Sequence, residues 1–142
     1  MESLYNEFKD IAEFRLIYIR EAHALDSDRP NHVARNLDIS EHVNFGDRCE
    51  TAQRLIDDNE LTIPTLIDDI ENSTDQAYSA KPDRIFLVRT DGRLAVAGDK
   101  GPKGFEPALD DVRAWLIGVS VTGEEPPLTE EEKKAGLKAS KL

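Results

Sequence analysis

One run, Phe14-Arg15-Leu16-Ile17-Tyr18-Ile19, limits the possible folds more than any other part of the chain. Apart from Arg15 it is apolar or aromatic with no alternation, so it has no face to offer to water. A strand of this kind is stable inside a sheet covered on both sides, the setting of parallel strands in α/β proteins. It runs into Glu21-Ala22-His23, and the stretch from Glu21 to Gly46 reads as a long polar loop. Loops of that length in a small domain usually carry function.

The flanking segments supply the covering layers. Leu4, Phe8, Ile11 and Ala12 fall at helical spacing, with Ser3 as the expected cap. Asp47 with Glu50 reads as a capping pair for a second helix whose buried stripe is Ala52, Leu55 and Ile56. Residues 62–68 form a short strand containing Pro64, and residues 84–98 carry a hairpin signature around Asp91-Gly92. Pro107 opens a final helix whose core face is Ala108, Leu109, Val112, Trp115 and Leu116. The order is helix, strand, helix, strand, hairpin, helix. It predicts an α/β fold with a thioredoxin-like mixed sheet flanked by helices, over residues 1–120. Residues 121–142 are expected to form a charged C-terminal tail, in which Thr129 can cap a short helix.

Composition narrows the function classes. A formal charge of −11 on 142 residues argues against nucleic acid or an anionic membrane surface as partner. A single cysteine, Cys49, allows no internal disulfide and points to a reducing compartment, with a cytoplasmic location expected. Three histidines and one cysteine are too few for a structural zinc site, so no metal is expected.

Several short motifs, in order and in register over residues 4–117, resemble the iodothyronine deiodinases, thioredoxin-fold selenoenzymes that remove iodine reductively. They are "LIYIREAHALD", "ISEHVNFGDR", "ENSTDQAYSAKPDRIFLVRTDGRLAVAGDKGPKGF" and "VRAWL". The resemblance implies no cofactor other than a thiol electron donor, and a small, halogenated aromatic substrate. It makes Glu21 and His23 catalytic: the imidazole protonates the leaving carbon or meets the halogen, and the carboxylate holds its tautomer. It makes His42 a substrate contact that bonds a phenol, and Pro64 the cleft proline that is cis in thioredoxin-like folds. Lys100 stands where the family has an arginine that meets the substrate carboxylate. Lysine keeps the charge and loses the planar fork.

Each residue also has a plainer role open to it. His23 and His42 can be locally bonded or solvated loop histidines, Lys100 an exposed turn lysine, and His32 simply solvated. Cys49, near a helix start, is either a thiol of lowered pKa or a small buried side chain. Tyr18 and Tyr78 read as packing residues. Asp57-Asp58 and Asp110-Asp111 read as surface, and Asp68-Asp69 as a strand end that can line the cleft.

In the family the nucleophile, selenocysteine or cysteine, follows a first strand and precedes two prolines and a phenylalanine. These 142 residues hold no such segment. The expectation is a truncated reading that lacks its first strand and its nucleophile, and is inactive as it stands. The alternatives are a non-catalytic thioredoxin-like binding module and a Cys49-dependent redox protein. Without a central strand, strands 14–19 and 65–69 must close on each other, pair with a second copy, or wait for an upstream strand. A homodimer is expected.

Overall fold

Helix α3 (Phe45–Asp58) opens on a reciprocal cap. The Asn44 side chain accepts from the Asp47 amide at 3.1 Å, and the Asp47 carboxylate accepts from the Asn44 amide at 3.3 Å. The capping pair therefore sits one turn earlier than the Asp47-to-Glu50 reading. Asp47, at the third helical position, also places a negative charge on the positive end of the helix.

The computed structural model describes residues 1–129, and among these no helix is long and apolar enough to cross a membrane. The other elements are α1 (Glu2–Phe8), β1 (Leu16–Tyr18), α2 (His32–Leu37), β2 (Thr65–Ile67), α4 (Ser73–Tyr78), β3 (Phe86–Val88), β4 (Leu94–Ala97) and α5 (Phe105–Thr122). The architecture is mixed α/β and consistent with the thioredoxin-like class expected from the sequence. The cap of α1 is Met1 rather than Ser3. The helix foreseen beyond Thr129 lies outside the described residues.

The described chain divides into two compact units. The first comprises residues 14–82 with Glu2, and holds β1, α2, α3, β2 and α4. Here β1 and β2 pair directly and in parallel, Leu16 with Thr65, Ile17 with Leu66 and Tyr18 with Ile67. Main-chain bonds from Leu16 to the Pro64 carbonyl (3.0 Å) and from Asp68 to the Tyr18 carbonyl (2.9 Å) close the ladder at its ends. Of the arrangements open to the two strands, closure on each other is the one adopted.

The long polar loop is not wholly irregular. Asn31 accepts from the Ala34 amide at 2.8 Å and caps α2, a helix too short for hydrophobic periodicity to reveal. Helix α2 ends on Asp38 and α4 on Ser79, both with left-handed backbone (φ 55° and 49°).

The second unit holds the rest of α1, the β3–β4 hairpin and α5. Leu4 and Phe8 on α1, Ile85 and Leu87 around β3, and Ala108, Val112 and Leu116 on α5 form its core. The α5 residues recur every four positions, so one stripe of the helix is buried. The hairpin forms where Asp91-Gly92 foretold it. Gly92 takes a φ of 83° that favours glycine, and the Arg89 amide reaches the Arg93 carbonyl at 2.8 Å. The register steps from Leu87–Val96 to Val88–Leu94, so Ala95 is a bulge. Gly98 is required by packing: a Cβ there would lie 2.5 Å from that of Ala108 and 3.0 Å from the Ile85 carbonyl oxygen.

Candidate active site

The C-terminal end of β1 presents Tyr18, and the chain then continues through Arg20 and Glu21. These two side chains take different partners. The Arg20 Nε donates at 2.8 Å to Asp75, a carboxylate at the buried side of α4. Glu21 accepts a short hydrogen bond from the Tyr18 hydroxyl. Burial first, and then the Glu21 bond and charge, push the Tyr18 phenol above its ordinary pKa of 10.0. Tyr18 is therefore a neutral donor throughout the physiological range.

The Tyr18 ring packs against the His42 ring, with centroids 5.9 Å apart and planes inclined at 55°. Both His42 nitrogens are out of contact with water and have no hydrogen-bond partner among the described residues. Desolvation, followed by the Arg48 charge, lowers the His42 pKa below its ordinary 6.5, while Glu21, Asp47 and Glu41 oppose the shift. A neutral imidazole results, with one donor and one acceptor unused. An unmet polar atom in such a place has a free-energy cost unless something binds it.

His23 is exposed at its edge, with Nδ1 2.8 Å from the Arg29 carbonyl oxygen. A carbonyl only accepts, so Nδ1 carries the hydrogen and Nε2 is left for other chemistry. Glu21, expected to hold this tautomer, is engaged by Tyr18, and the main chain takes over that task. Glu21, Ala22 and His23 line a pocket of about 130 Å³, with Asn31, Ala34 and Ile39 as the opposite wall. The wall exists because α2 folds there, and because the Leu25 amide donates to the Ile39 carbonyl at 2.8 Å.

Behind this group stands Arg48, only 2% exposed. From the first turn of α3 its Nη1 donates to the main-chain carbonyls of Asp68 (3.3 Å) and Asp69, and its Nη2 to the Asn72 side chain at 2.9 Å. The Asp68 carboxylate accepts from the amides of Thr74 (2.9 Å) and Asp75 (3.0 Å). The Asp68-Asp69 pair, read as a strand end that can line the cleft, thus has Asp68 buried and committed to opening α4. Among the described residues no three His, Cys, Asp or Glu side chains gather as a metal site would need.

The remaining candidates do not line this pocket. Pro64 is exposed and does not line the pocket. The cis bonds of the described chain are Lys81–Pro82 and Gly101–Pro102, so the expected cis geometry at Ile63–Pro64 is corrected. Lacking an N–H, Pro64 contributes its carbonyl to the β1–β2 ladder. Cys49 is half-buried and, with Asn44 as cap, is the fifth helical residue rather than part of the first turn. The helix dipole acts on it weakly there. Exposed His32 begins α2. Lys100 belongs to the other unit, on an open groove of about 580 Å³ with Lys103, Asp99 and Asp111. Sequence reasoning missed Tyr18 and Arg48. The position of Tyr18, three residues before Glu21 at a strand end, was the available signal.

Comparison with known proteins identifies the family. The iodothyronine deiodinase family profile matches residues 1–119. The chain is 36% identical over 104 residues to the type I iodothyronine deiodinase of Xenopus laevis, covering 73% of this chain and 39% of that protein. It is 33% identical over 116 residues to the type II enzyme of Neoceratodus forsteri (80% and 42% covered). The identity to the type II enzyme of Homo sapiens is 33% over 118 residues (80% and 41% covered). The chain thus spans about two fifths of the length of these curated relatives. This chain belongs to the iodothyronine deiodinase family.

Proposed function

We propose that this chain forms part of a reductive dehalogenase acting on a small iodinated aromatic compound, with a thiol as electron donor. The observation that carries the reading is His23, whose Nδ1–H is held by the Arg29 carbonyl at 2.8 Å beside Glu21 in the pocket. The net reaction is ArI + 2 RSH → ArH + RSSR + I⁻ + H⁺. A thiolate or selenolate takes the iodine from carbon. The aryl carbon keeps the bonding pair and receives the Nε2 proton of the His23 imidazolium. A second thiol then displaces iodide from sulfur or selenium and closes the disulfide or selenenyl sulfide. Glu21, held by the Tyr18 hydroxyl, lines the same pocket as His23. His42 offers its unmet nitrogens to a substrate hydroxyl. A reducing compartment such as the cytoplasm keeps the donor thiol available.

The one thiol of these 142 residues, Cys49, does not line the pocket. The chain alone is therefore expected to release no iodide. The test is iodide release from an iodothyronine, in dithiothreitol, by the protein expressed from its own gene in its native host. His23→Gln should abolish turnover with substrate binding retained. Equal rates for His23→Gln and the parent would refute the assignment, and loss of activity in Cys49→Ser would favour a Cys49 redox protein. The unused nitrogens of His42 favour a binding module as second reading, which predicts His42-dependent binding without turnover. We further propose a homodimer, supported by the outer edges that the directly paired, two-stranded β1–β2 sheet leaves open and by Leu66, 48% exposed. A monomer mass in light scattering would exclude it.

A further inference from the structure

The chain does not leave its unit where α5 ends. Gly123, with φ 74°, stops the helix. Thr122 Oγ1 donates to the Glu124 carbonyl at 2.9 Å and accepts from the Glu124 amide at 3.2 Å. This turn sends residues 124–126 back to the β3–β4 turn. There Glu125 Oε1 accepts from the Thr90 amide at 2.8 Å, and Oε2 lies 3.3 Å from Arg89 Nη2. The same Nη2 donates to the Pro126 carbonyl at 2.6 Å. The Arg89 side chain is 7% exposed, and its guanidinium carbon stands 5.9 Å from the centre of the Trp115 ring.

A guanidinium so deep is tolerable only with an anion beside it. Arg89 and the Thr90 N–H converge on one carboxylate from two directions, and the carboxylate comes from the chain's own next segment. Arg89 Nε remains buried without a partner among the described residues, so Glu125 meets most of its demand and not all. The exposed pair of Arg54 with Asp58 differs: at 3.8 Å, with both side chains half exposed, it contributes little.

We infer that residues 124–126 are a strap, latched shut by Glu125 in a carboxylate site on the β3–β4 turn, and that removing this one charge opens it. The test uses the full 142-residue chain carrying Glu125→Gln, which preserves side-chain volume. Loss of the charge-assisted contacts should speed hydrogen exchange at Thr90 and at the non-proline residues of 123–128 about tenfold or more, with the β1–β2 pair unchanged. Trp115, the one tryptophan of the chain, should report the same opening as a fluorescence change. Asp58→Asn should do neither. Exchange at Thr90 and the non-proline residues of 123–128 within about twofold of the parent, or a rise spread evenly over both units, would overturn the inference, the scale being that of a lost charged hydrogen bond.

Discussion

Replacing Arg48 by methionine should destabilise the protein by about 3 kcal/mol, a figure that balances two opposed effects. The guanidinium donates to the carbonyls of Asp68 and Asp69 and to the Asn72 side chain. A hydrogen bond from a charged donor contributes about 1.5–3 kcal/mol, so three of them supply roughly 4.5–9 kcal/mol. Against this stands the burial of a cation that is only 2% exposed, which costs several kcal/mol and which methionine avoids. Methionine also refills most of the apolar volume but leaves three acceptors unmet. Urea titration followed by circular dichroism measures the difference. With a slope of about 2 kcal/mol/M, the midpoint should fall by about 1.5 M. Arg113→Met, which breaks the exposed pair with Glu7, should cost less than about 1 kcal/mol. A midpoint for Arg48→Met within the error of the parent, or no lower than that of Arg113→Met, would show that Arg48 does not clamp α3 to the end of β2.

The His42 imidazole titrates below its ordinary 6.5, so the unfolded chain binds the proton first as pH falls. Stability should therefore be full above about 6.5 and decline below it, and His42→Gln should flatten that slope in pH-dependent urea melts. The Tyr18 phenol is raised above 10.0, so its contribution is full below that pH and is lost as pH rises beyond it. Tyr18→Phe should remove this alkaline loss at a cost of about 1 kcal/mol near neutrality, read in the same melts. Gly98→Ala drives a Cβ to within 2.5 Å of Ala108 and should cost about 1–3 kcal/mol, seen as a lower melting temperature.

The parts of the fold that could be read beforehand are those in which a local pattern and its tertiary role coincide. The Asp91-Gly92 turn and the Ala108–Val112–Leu116 stripe each say the same thing locally and globally, whereas the run at 14–19 does form β1 but is half-buried in a two-stranded sheet rather than covered on both faces. Helix α2 was hidden because six residues carry too little periodicity, and only its Asn31 cap announces it. The cap of α3 was misplaced because Asn44 and Asp47 both suit the role, and the reciprocal bond that decides between them is a property of three dimensions. The site was partly legible. Glu21 and His23 share the pocket, as their place after β1 implied. That Glu21 would hold a tyrosine rather than the imidazole depends on a carbonyl six residues beyond His23, which spacing alone does not encode. Arg48 has no signal of its own in the sequence, and burial alone distinguishes it.

The left-handed ends of α2 and α4 bear on how this protein can be improved as a laboratory reagent. Asp38 and Ser79 hold a backbone geometry, φ 55° and 49°, in which any side chain crowds its own carbonyl. Glycine removes that crowding, so each site could gain up to about 1 kcal/mol after glycine's greater unfolded freedom is subtracted. Neither residue lines the pocket beside His23. Asp38→Gly and Ser79→Gly together therefore offer a sturdier parent for crystallising the pocket with an iodinated ligand, or for carrying destabilising substitutions at Tyr18, Glu21 and His42.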